Sequence, residues 1–233
     1  PGSAVLALAE QWPRASWRMP ASTCLELPSG DIGTLLARLP GRTAGKVRAK
    51  LRRIEASGIA VTPVPSIDAE AGVDRLMELH LRQWQDRPVN QEHTRPRFRR
   101  HLASALTELI RDGEAALFEY HCDNELVASD MVLIGRDVVG AYLYGAVPEL
   151  RDKVDVTLLL LRQDLGVAAR AGVPTLSMLR GDEPYKRKWR PDPVANKRLI
   201  LGRNPAAFTY AITARCRAAL STRKHQLQRA SDG

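Results

Sequence analysis

The sequence predicts a mixed α/β domain whose central sheet combines antiparallel strands with one parallel strand. Three strand patterns, at 115–121, 126–134 and 138–147, follow one another with turn residues between them, which is typical of an antiparallel hairpin run. An amphipathic helix at about 156–171 then leads to a short strand at 175–179. Because strand, crossover helix and strand form a unit with parallel strands, the strand at 175–179 is expected in the same sheet.

The other elements are predicted from apolar spacing and capping residues. Asp31 is a suitable N-cap for a helix with one apolar side, and Pro40-Gly41 interrupts that helix before a second one that ends at Gly58. Pro205 is suited to the first turn of a C-terminal helix that runs to about residue 228. By the same reasoning, strands are expected at 23–27, 59–64 and 197–201, and helices at 68–86 and 95–112.

Composition narrows the class of protein. The chain has 233 residues, of which 44% are hydrophobic, and this is enough for one large domain with a full core. No apolar run is long enough to cross a bilayer. The three cysteines show neither metal spacing nor a disulfide framework, which favours a reducing, cytoplasmic compartment and no metal site. Sequence motifs of serine hydrolases, zinc proteases and Walker-type nucleotidases are absent.

The positive charge is concentrated in two tracts. Seven basic residues and no acid lie between Arg38 and Arg53, and twelve basic residues with one acid lie between Lys186 and Arg229, within a net charge of +9. One interpretation is a preference for arginine on solvated faces. The other is attraction of polyanions, such as the phosphates of coenzyme A, a nucleotide-linked acceptor or tRNA. Charge alone does not decide between them.

Two segments around the crossover helix have the features of a binding or reaction site. The loop 148–157 opens onto a helix N-terminus, where free amides and the helix dipole attract phosphate. The strand 175–179 ends in a polar cluster, 180–189, and functional groups gather at the carboxyl ends of such strands. A phosphate-bearing donor is therefore expected near 148–158 and the reaction near 180–189.

Three segments resemble one protein family. They are LRGDEPYKRKW at 179–189, the hairpin 126–146 and LMELHLRQW at 76–84. These segments are similar to the GNAT superfamily of acyltransferases, in the branch of the cellulose-biosynthesis-type acetyltransferases, whose relatives include the Fem-type aminoacyl transferases. The resemblance covers roughly residues 35–202. It implies a GNAT-like domain at 31–202, a basic helix and tail at 203–233, and at 1–30 a remnant or linker that ends a missing N-terminal half.

The resemblance also implies a donor site for acetyl-CoA or another acyl-CoA. Its residues would be Tyr144, Gly145, Ala146, Val147, Arg151, Lys153, Val156 and Thr157. The family's phosphate loop carries glycines, but this chain has Val154-Asp155-Val156-Thr157 there. Asp155 could instead cap the helix, and the segment would then be an ordinary connecting loop.

The same resemblance implies catalytic roles for three residues of the polar cluster. Lys186 would stabilise charge near the reacting ester, or else it is a surface lysine in a basic run. Asp182, with Glu183, would deprotonate the acceptor, or form ion pairs with Arg180 and Lys186. Tyr185 would protonate the leaving thiolate.

Residues on the acceptor side are less specific. Arg180 and Trp189 come from the polar cluster, and His80 and Trp84 share the apolar side of the helix 68–86. We expect the two tryptophans to be pocket walls at most. A lone histidine on an apolar helix face is more often a core residue than a catalyst, so both interpretations of His80 stay open.

Three hypotheses follow for the function. The first is transfer of an acyl group from acyl-CoA to an amine or hydroxyl of a small-molecule, glycan or peptide acceptor. The second replaces acyl-CoA with aminoacyl-tRNA, which the basic tracts and the glycine-free loop support. The third is a GNAT scaffold without catalysis that binds nucleic acid, and salt-dependent RNA binding without coenzyme A binding would distinguish it.

Overall fold

A computed structural model describes residues 4–83, 91–181, 183–203, 206–214 and 216. The chain divides into a larger compact unit, Leu25–Asp192, and a smaller unit formed by the residues before and after it. The helices are α1 Ala4–Gln11, α2 Ile32–Ala37, α3 Gly41–Glu55, α4 Ala69–Gln83, α5 Pro96–Arg111, α6 Leu150–Lys153, α7 Val156–Arg170 and α8 Pro184–Arg187. The strands are β1 Ser16–Pro28, β2 Ala60–Pro63, β3 Ala115–Cys122, β4 Glu125–Ile134, β5 Val138–Ala146, β6 Thr175–Arg180 and β7 Asp192–Leu201.

The sheet of the larger unit has the predicted mixture of strand directions. Its order is β2-β3-β4-β5-β6, followed by the end of β1. The pairs β2/β3, β3/β4 and β4/β5 are antiparallel, whereas β5 and β6 are parallel and joined through α7. The predicted fold class, with an antiparallel run and one parallel strand after a crossover helix, is therefore confirmed.

Helices cover both faces of this sheet. On one face, α2, α3 and α7 enclose a core that includes Phe118, Tyr120 and Val132. On the other face, α4 and α5 pack over Leu117, Met131 and Leu143. The alternation of neighbouring strand residues between the two cores follows from the two-residue period of a strand.

Local sequence signals explain several element ends. Asp31 caps α2 by accepting a hydrogen bond from the Thr34 amide at 2.7 Å, and Asp155 caps α7 through the Leu158 amide at 3.1 Å. The turn between β3 and β4 holds Asp123 and Asn124 at φ values of 52° and 65°. Both residue types tolerate that region, and two successive positive φ values are typical of a tight hairpin turn.

Elements at the chain ends differ from the sequence prediction. Residues 4–11 form a helix, β1 begins at Ser16 rather than 23, and β7 begins at Asp192 rather than 197. In the smaller unit, Trp12 donates a hydrogen bond to the Gly202 carbonyl and the Gly202 amide donates to Ala15. Such long-range pairing extends a strand without any local pattern. The described part of the C-terminal helix covers 206–214 and 216, so its predicted end near 228 lies outside the described residues.

The segment 148–157 is not a plain loop. It contains α6, and the buried side chain of Leu150 anchors that helix in the core. The polar cluster likewise contains a short helix, α8, which begins at Pro184. Both helices are a single turn long, too short for a periodic apolar pattern.

Helix α4 lies directly against β5 at Gly145. A Cβ atom there would lie 2.3 Å from the His80 backbone nitrogen and 2.6 Å from the Leu79 carbonyl carbon. Neither backbone atom can move without shifting the helix. Glycine at 145 therefore allows α4 to rest directly on the strand.

We expect Gly145→Ala to lower the free energy of unfolding by about 2 kcal/mol or more, because the added methyl group forces α4 away from β5. Gly45→Ala is the matched control. Gly45 lies within α3 with nothing near the position of an added Cβ. That change should stabilise the protein by about 0.5–1 kcal/mol, since alanine favours helix. Urea unfolding of both variants measures the effects, and an equal gain in both would contradict the close packing.

Candidate functional site

The two parallel strands separate after a short paired section. The register pairs Val138 with Thr175 and ends with Gly140 beside Ser177, although β5 continues for six more residues. The Leu179 amide donates a hydrogen bond to the Ser177 hydroxyl at 3.2 Å, and Leu179 has a φ of 54°. Because this amide is satisfied within β6, the strand bends away from β5. A V-shaped gap opens between them.

Side chains of α4 satisfy backbone groups of β5 beyond the point of separation. The Nδ1–H group of His80 donates to the Tyr144 carbonyl at 2.8 Å, and the Ala146 amide donates to Gln83 Oε1 at 2.9 Å. These bonds replace strand pairing, and buried backbone groups without such partners are costly. Helix α4 thus makes the gap possible.

A cavity of about 410 Å³ lies in the gap. Its walls come from β5 (Ala141, Tyr142, Leu143, Tyr144), from α7 (Thr157, Leu160, Leu161, Asp164), from the end of β6 (Met178, Leu179, Arg180), from the segment at α8 (Tyr185, Lys186, Trp189), and from Asp130, His93 and Phe98. Leu143 and Phe98 belong to the core under α4 and α5, whereas Tyr144 and Trp189 belong to the core under α7. The cavity therefore reaches both faces of the sheet.

The polar cluster closes one end of the cavity. Lys186 is only 6% exposed, and its ammonium group donates to the Arg180 carbonyl at 3.0 Å and pairs with Glu183 at 2.9 Å. Gly181 has a φ of 117°, and a Cβ atom there would lie 2.4 Å from the Glu183 carboxylate. The glycine thus lets the chain turn tightly enough for Glu183 to reach Lys186. Asp182, predicted as a catalytic base, lies outside the described residues.

Tyr185 lies beside Lys186 in the wall of the cavity. Burial raises the pKa of its hydroxyl group, and the neighbouring Tyr144 and Glu183 raise it further. The phenol therefore stays protonated at neutral pH. In that state it can donate a proton but cannot act as a base.

The Asp155 side chain caps the N-terminus of α7. Besides the Leu158 amide, Asp155 pairs with Lys50 at 2.7 Å and with Lys188 at 3.5 Å. Burial alone would raise the pKa of Asp155, but Lys50, Lys188 and the Leu158 amide together lower it. The carboxylate is thus ionised at the place where the sequence predicts a phosphate. Arg151 and Lys153 of α6 are exposed.

The predicted donor residues fall into two groups. Tyr144 and Thr157 are in the cavity wall. Gly145 contacts α4, and the amides of Ala146 and Val147 donate to Gln83 and to the Val127 carbonyl. Val156 is buried in the core of α7.

His80, predicted on the acceptor side, is linked through a second histidine, His93, to the cavity. Because His80 donates from Nδ1, its Nε2 accepts, and His93 Nδ1 donates to it across 3.1 Å. Burial lowers the pKa of both rings, although the bond to Tyr144 opposes this at His80. His93 is stacked on Phe98 and lies in the cavity wall. His80 itself does not line the cavity and is connected to it only through His93. Trp84 lies outside the described residues.

Two aspartates that sequence analysis did not select meet beside the cavity. Asp130 on β4 and Asp164 on α7 are each 3% exposed, and their carboxyl groups hydrogen-bond to each other. A carboxylate only accepts hydrogen bonds, so the pair shares one proton. Burial raises the pKa of Asp130 to about 6, and burial together with Asp130 raises the pKa of Asp164 well above its usual range.

The middle of the chain matches a known protein family. The profile of the acetyltransferase (GNAT) domain family matches residues 41–187, which is more than half of the chain. The chain belongs to this family. It is therefore a GNAT-type transferase by fold and family, and its cavity lies within the matched residues apart from Trp189. Among curated proteins, none matches the chain significantly.

Solved structures share the fold of this GNAT domain at low sequence identity. A conserved protein of unknown function from Bacteroides thetaiotaomicron aligns with a TM-score of 0.56 and 12% identity over 84% of this chain. FemX aligns with a TM-score of 0.56 and 12% identity over 81%. The C-terminal domain of a putative lysylphosphatidylglycerol synthetase from Agrobacterium fabrum aligns with a TM-score of 0.53 and 10% identity over 85%. The chain spans only 65%, 63% and 65% of these three structures.

Two features of the sequence indicate, weakly, that Asp130 and Asp164 are buried in the GNAT domain. Asp130 interrupts the apolar and small residues that follow Glu125 in β4, LVASDMVLI. Asp164 follows Thr157, Leu160 and Leu161 at intervals of three and four residues, so it shares their side of α7. Neither signal shows that the two carboxyl groups meet.

The described ranges hold no helix that is long and apolar enough to span a membrane. Within the same ranges, no three His, Cys, Asp or Glu side chains are grouped so as to hold a metal ion.

We expect the acidic pair to make stability depend on pH. The pKa of Asp130 rises from 3.8 to about 6 on folding, so between about pH 4 and pH 6 the folded state binds more protons than the unfolded state. The pair therefore favours folding below about pH 4 and loses that contribution as pH rises to about 6. The loss is on the order of 2–3 kcal/mol.

The Asp130→Asn variant should lack this loss, so its stability advantage over the natural chain should grow between pH 4 and pH 7. Urea unfolding at several pH values measures the difference. A difference that stays constant with pH would contradict the shared proton.

Proposed function

We propose that the chain transfers an acyl group, most simply acetyl, from acyl-CoA to an amine or hydroxyl of a small-molecule, glycan or peptide acceptor. We place it in the branch of the cellulose-biosynthesis-type acetyltransferases. One observation carries the proposal: a cavity in the gap between β5 and β6 whose lining includes Lys186 and Tyr185. A thioester in that cavity would be held beside a buried cation and a protonated phenol.

The proposed chemistry is direct attack of the acceptor on the thioester carbonyl. The Lys186 ammonium group would stabilise negative charge that develops on the acyl oxygen, and burial strengthens such an interaction. Tyr185, which lines the same cavity, would protonate the departing thiolate. Asp182 remains proposed as a base on the acceptor side. Arg180, Trp189, His80 and Trp84 are the proposed acceptor contacts.

The proposed donor site runs from the gap to the start of α7. It comprises Tyr144 to Val147 on the strand, with Arg151, Lys153, Val156 and Thr157. The exposed Arg151 and Lys153 support phosphate binding there. Positioning of the two substrates would supply most of the rate enhancement.

A Fem-type transferase that uses aminoacyl-tRNA is the second candidate. The Asp155 carboxylate at the cap of α7 favours it, because a negative group there repels the pyrophosphate of coenzyme A. Exposed basic residues along α3 add support, since they would attract a nucleic acid.

Ligand binding separates the two candidates. Thermal unfolding would be followed with acetyl-CoA, coenzyme A and total tRNA in turn. A ligand specific to the folded state at a hundredfold its dissociation constant stabilises by about 2.7 kcal/mol. We expect that stabilisation with acetyl-CoA. Stabilisation by tRNA alone would instead favour the Fem-type candidate, and a strong salt dependence without any effect of coenzyme A would favour nucleic-acid binding without acyl transfer.

We expect Lys186→Met to lower turnover by about 100-fold or more, because a preorganised electrostatic contact is lost in the transition state. Methionine keeps the buried packing. Its turnover is compared with that of Lys197→Ala, which removes an exposed lysine of β7 and should leave turnover unchanged. Release of the coenzyme A thiol from acetyl-CoA measures turnover. Equal turnover in the natural chain and Lys186→Met would remove Lys186 from the proposed mechanism.

A further inference from the structure

His93 lines the cavity but has no part in the mechanism proposed above. It lies in the short 3₁₀ helix Gln91–Thr94 and is half-buried. Of the described residues that line the cavity, it is the one histidine. Imidazole has an ordinary pKa close to neutral pH, so it can both accept and release a proton there. His93 is therefore placed where a proton of a bound substrate can be taken up.

Two neighbours hold the His93 ring in place. Phe98 stacks against it, with 4.8 Å between the ring centroids and 24° between the ring planes. His80 Nε2 accepts a hydrogen bond from His93 Nδ1 across 3.1 Å, because His80 Nδ1 donates to the Tyr144 carbonyl. In neutral His93 the proton is thus on Nδ1 and the lone pair is on Nε2. A base whose orientation is fixed by a further group is the arrangement that general-base catalysis requires.

His93 and the residues at α8 approach the cavity from different sides. Phe98, on which His93 stacks, packs against the core under α4 and α5. Trp189, whose amide bonds to the Lys186 carbonyl, belongs to the core on the other face of the sheet. A thioester between these walls would have its leaving group toward Tyr185 and the attacking acceptor toward His93.

We propose that His93 is the general base that takes the proton of the acceptor, and that His80 is the positioning residue that fixes its tautomer. The proposal rests on the proposed acyl transfer and deepens it. It transfers to His93 the role for which Asp182 was selected from the sequence, so the two residues are alternatives that experiment can separate.

The base completes the exchange of protons in the reaction. The acceptor nitrogen or oxygen attacks the thioester carbonyl carbon, and its proton passes to His93 Nε2. The C–N or C–O bond forms, the C–S bond breaks, and Tyr185 gives its proton to the sulfur, so that coenzyme A departs as the thiol. The proton on His93 then passes to solvent, and solvent returns one to Tyr185. Throughout, Nδ1 of His93 keeps its hydrogen bond to His80.

Turnover should fall in acid, because a protonated His93 has no lone pair to offer. Burial lowers the pKa of His93 from its ordinary value of 6.5, and the charge of His80 lowers it further. The ring is therefore neutral at pH 7. Turnover should rise with pH through a value below 6.5 and level off before pH 7.

Other ionisable groups lie on the elements around His93. They are His80 on α4, Glu92 with its partners Arg95 and Arg97, Tyr144 on β5, Asp130 on β4, Asp164 on α7, Arg180 on β6, and Tyr185 and Lys186 on α8. The pKa of Asp130 is raised to about 6, so this residue titrates in a similar range. The Asp130→Asn variant separates the two groups, since it should keep the rise of turnover with pH.

The first experiment measures release of the coenzyme A thiol from acetyl-CoA with 4-aminobutan-1-ol, a probe that offers both an amine and a hydroxyl group. We expect His93→Gln to lower turnover by about 100-fold or more, as for a lost general base, with the KM for acetyl-CoA unchanged. The rise with pH should be absent from this variant. His101→Gln changes an exposed histidine of α5 and should have neither effect.

Added imidazole tests the base directly. His93→Ala leaves space for a small base, and imidazole should restore its turnover by about tenfold or more. The same imidazole should not restore Lys186→Met, which lacks a cation and not a base. His80→Asn keeps an N–H group for the Tyr144 carbonyl but removes the ring nitrogen that accepts from His93. Its turnover should fall less than that of His93→Gln, and its rise with pH should stay.

Full turnover of His93→Gln would overturn the assignment, as would a loss of turnover that imidazole does not restore in His93→Ala. A rise with pH that disappears in Asp182→Asn but stays in His93→Gln would make Asp182 the base. In each of these cases, turnover of the natural chain leaves the proposed acyl transfer standing. A natural chain that neither binds acetyl-CoA nor releases the thiol would reject the acyl transfer and the base with it.

Discussion

The separation of β5 from β6 is the constraint on which the rest of the larger unit depends. Two parallel strands that part after three register pairs leave backbone groups that need new partners. In this protein those partners are side chains. The Ser177 hydroxyl accepts a hydrogen bond from the Leu179 amide. The His80 ring donates to the Tyr144 carbonyl, and the Gln83 side-chain oxygen accepts from the Ala146 amide. Gly145 allows the helix that carries His80 and Gln83 to approach closely enough. The gap is thus stabilised by side chains that replace the missing strand pairing.

The cavity in that gap has two chemically different ends. At the end of β6, a buried lysine is held by Glu183 and by a backbone carbonyl, next to a tyrosine whose raised pKa keeps it protonated. Beside α7, two buried carboxyl groups share a proton. A cation and a proton donor at one end and an anionic pair at the other suit a reaction in which a leaving group and an acceptor must each exchange a proton. This arrangement supports the proposed transfer more than either end would alone.

The acidic pair also opposes the stability of this fold. Burial of two carboxyl groups without full hydrogen bonding weakens the folded state, whereas an apolar pair at these positions would extend the surrounding core. Residues that cost stability persist where a site requires them. The start of α7 is stabilised instead, because the Asp155 carboxylate caps the helix and forms ion pairs with two lysines. The same carboxylate places negative charge where the sequence predicts a phosphate.

The sequence by itself determined the order and type of the main elements and the position of the polar cluster. Local signals were sufficient there, because the cap at Asp31, the hairpin at Asp123-Asn124 and the crossover after β5 each depend on neighbouring residues. It also led to Lys186, Tyr185 and Trp189, which the fold brings into one cavity wall. Only the tertiary structure decided that Asp130 meets Asp164 and that Gln83 takes the Ala146 amide. Those contacts join residues 34 and 63 positions apart, and no local pattern in the chain records which distant side chain will satisfy a buried group.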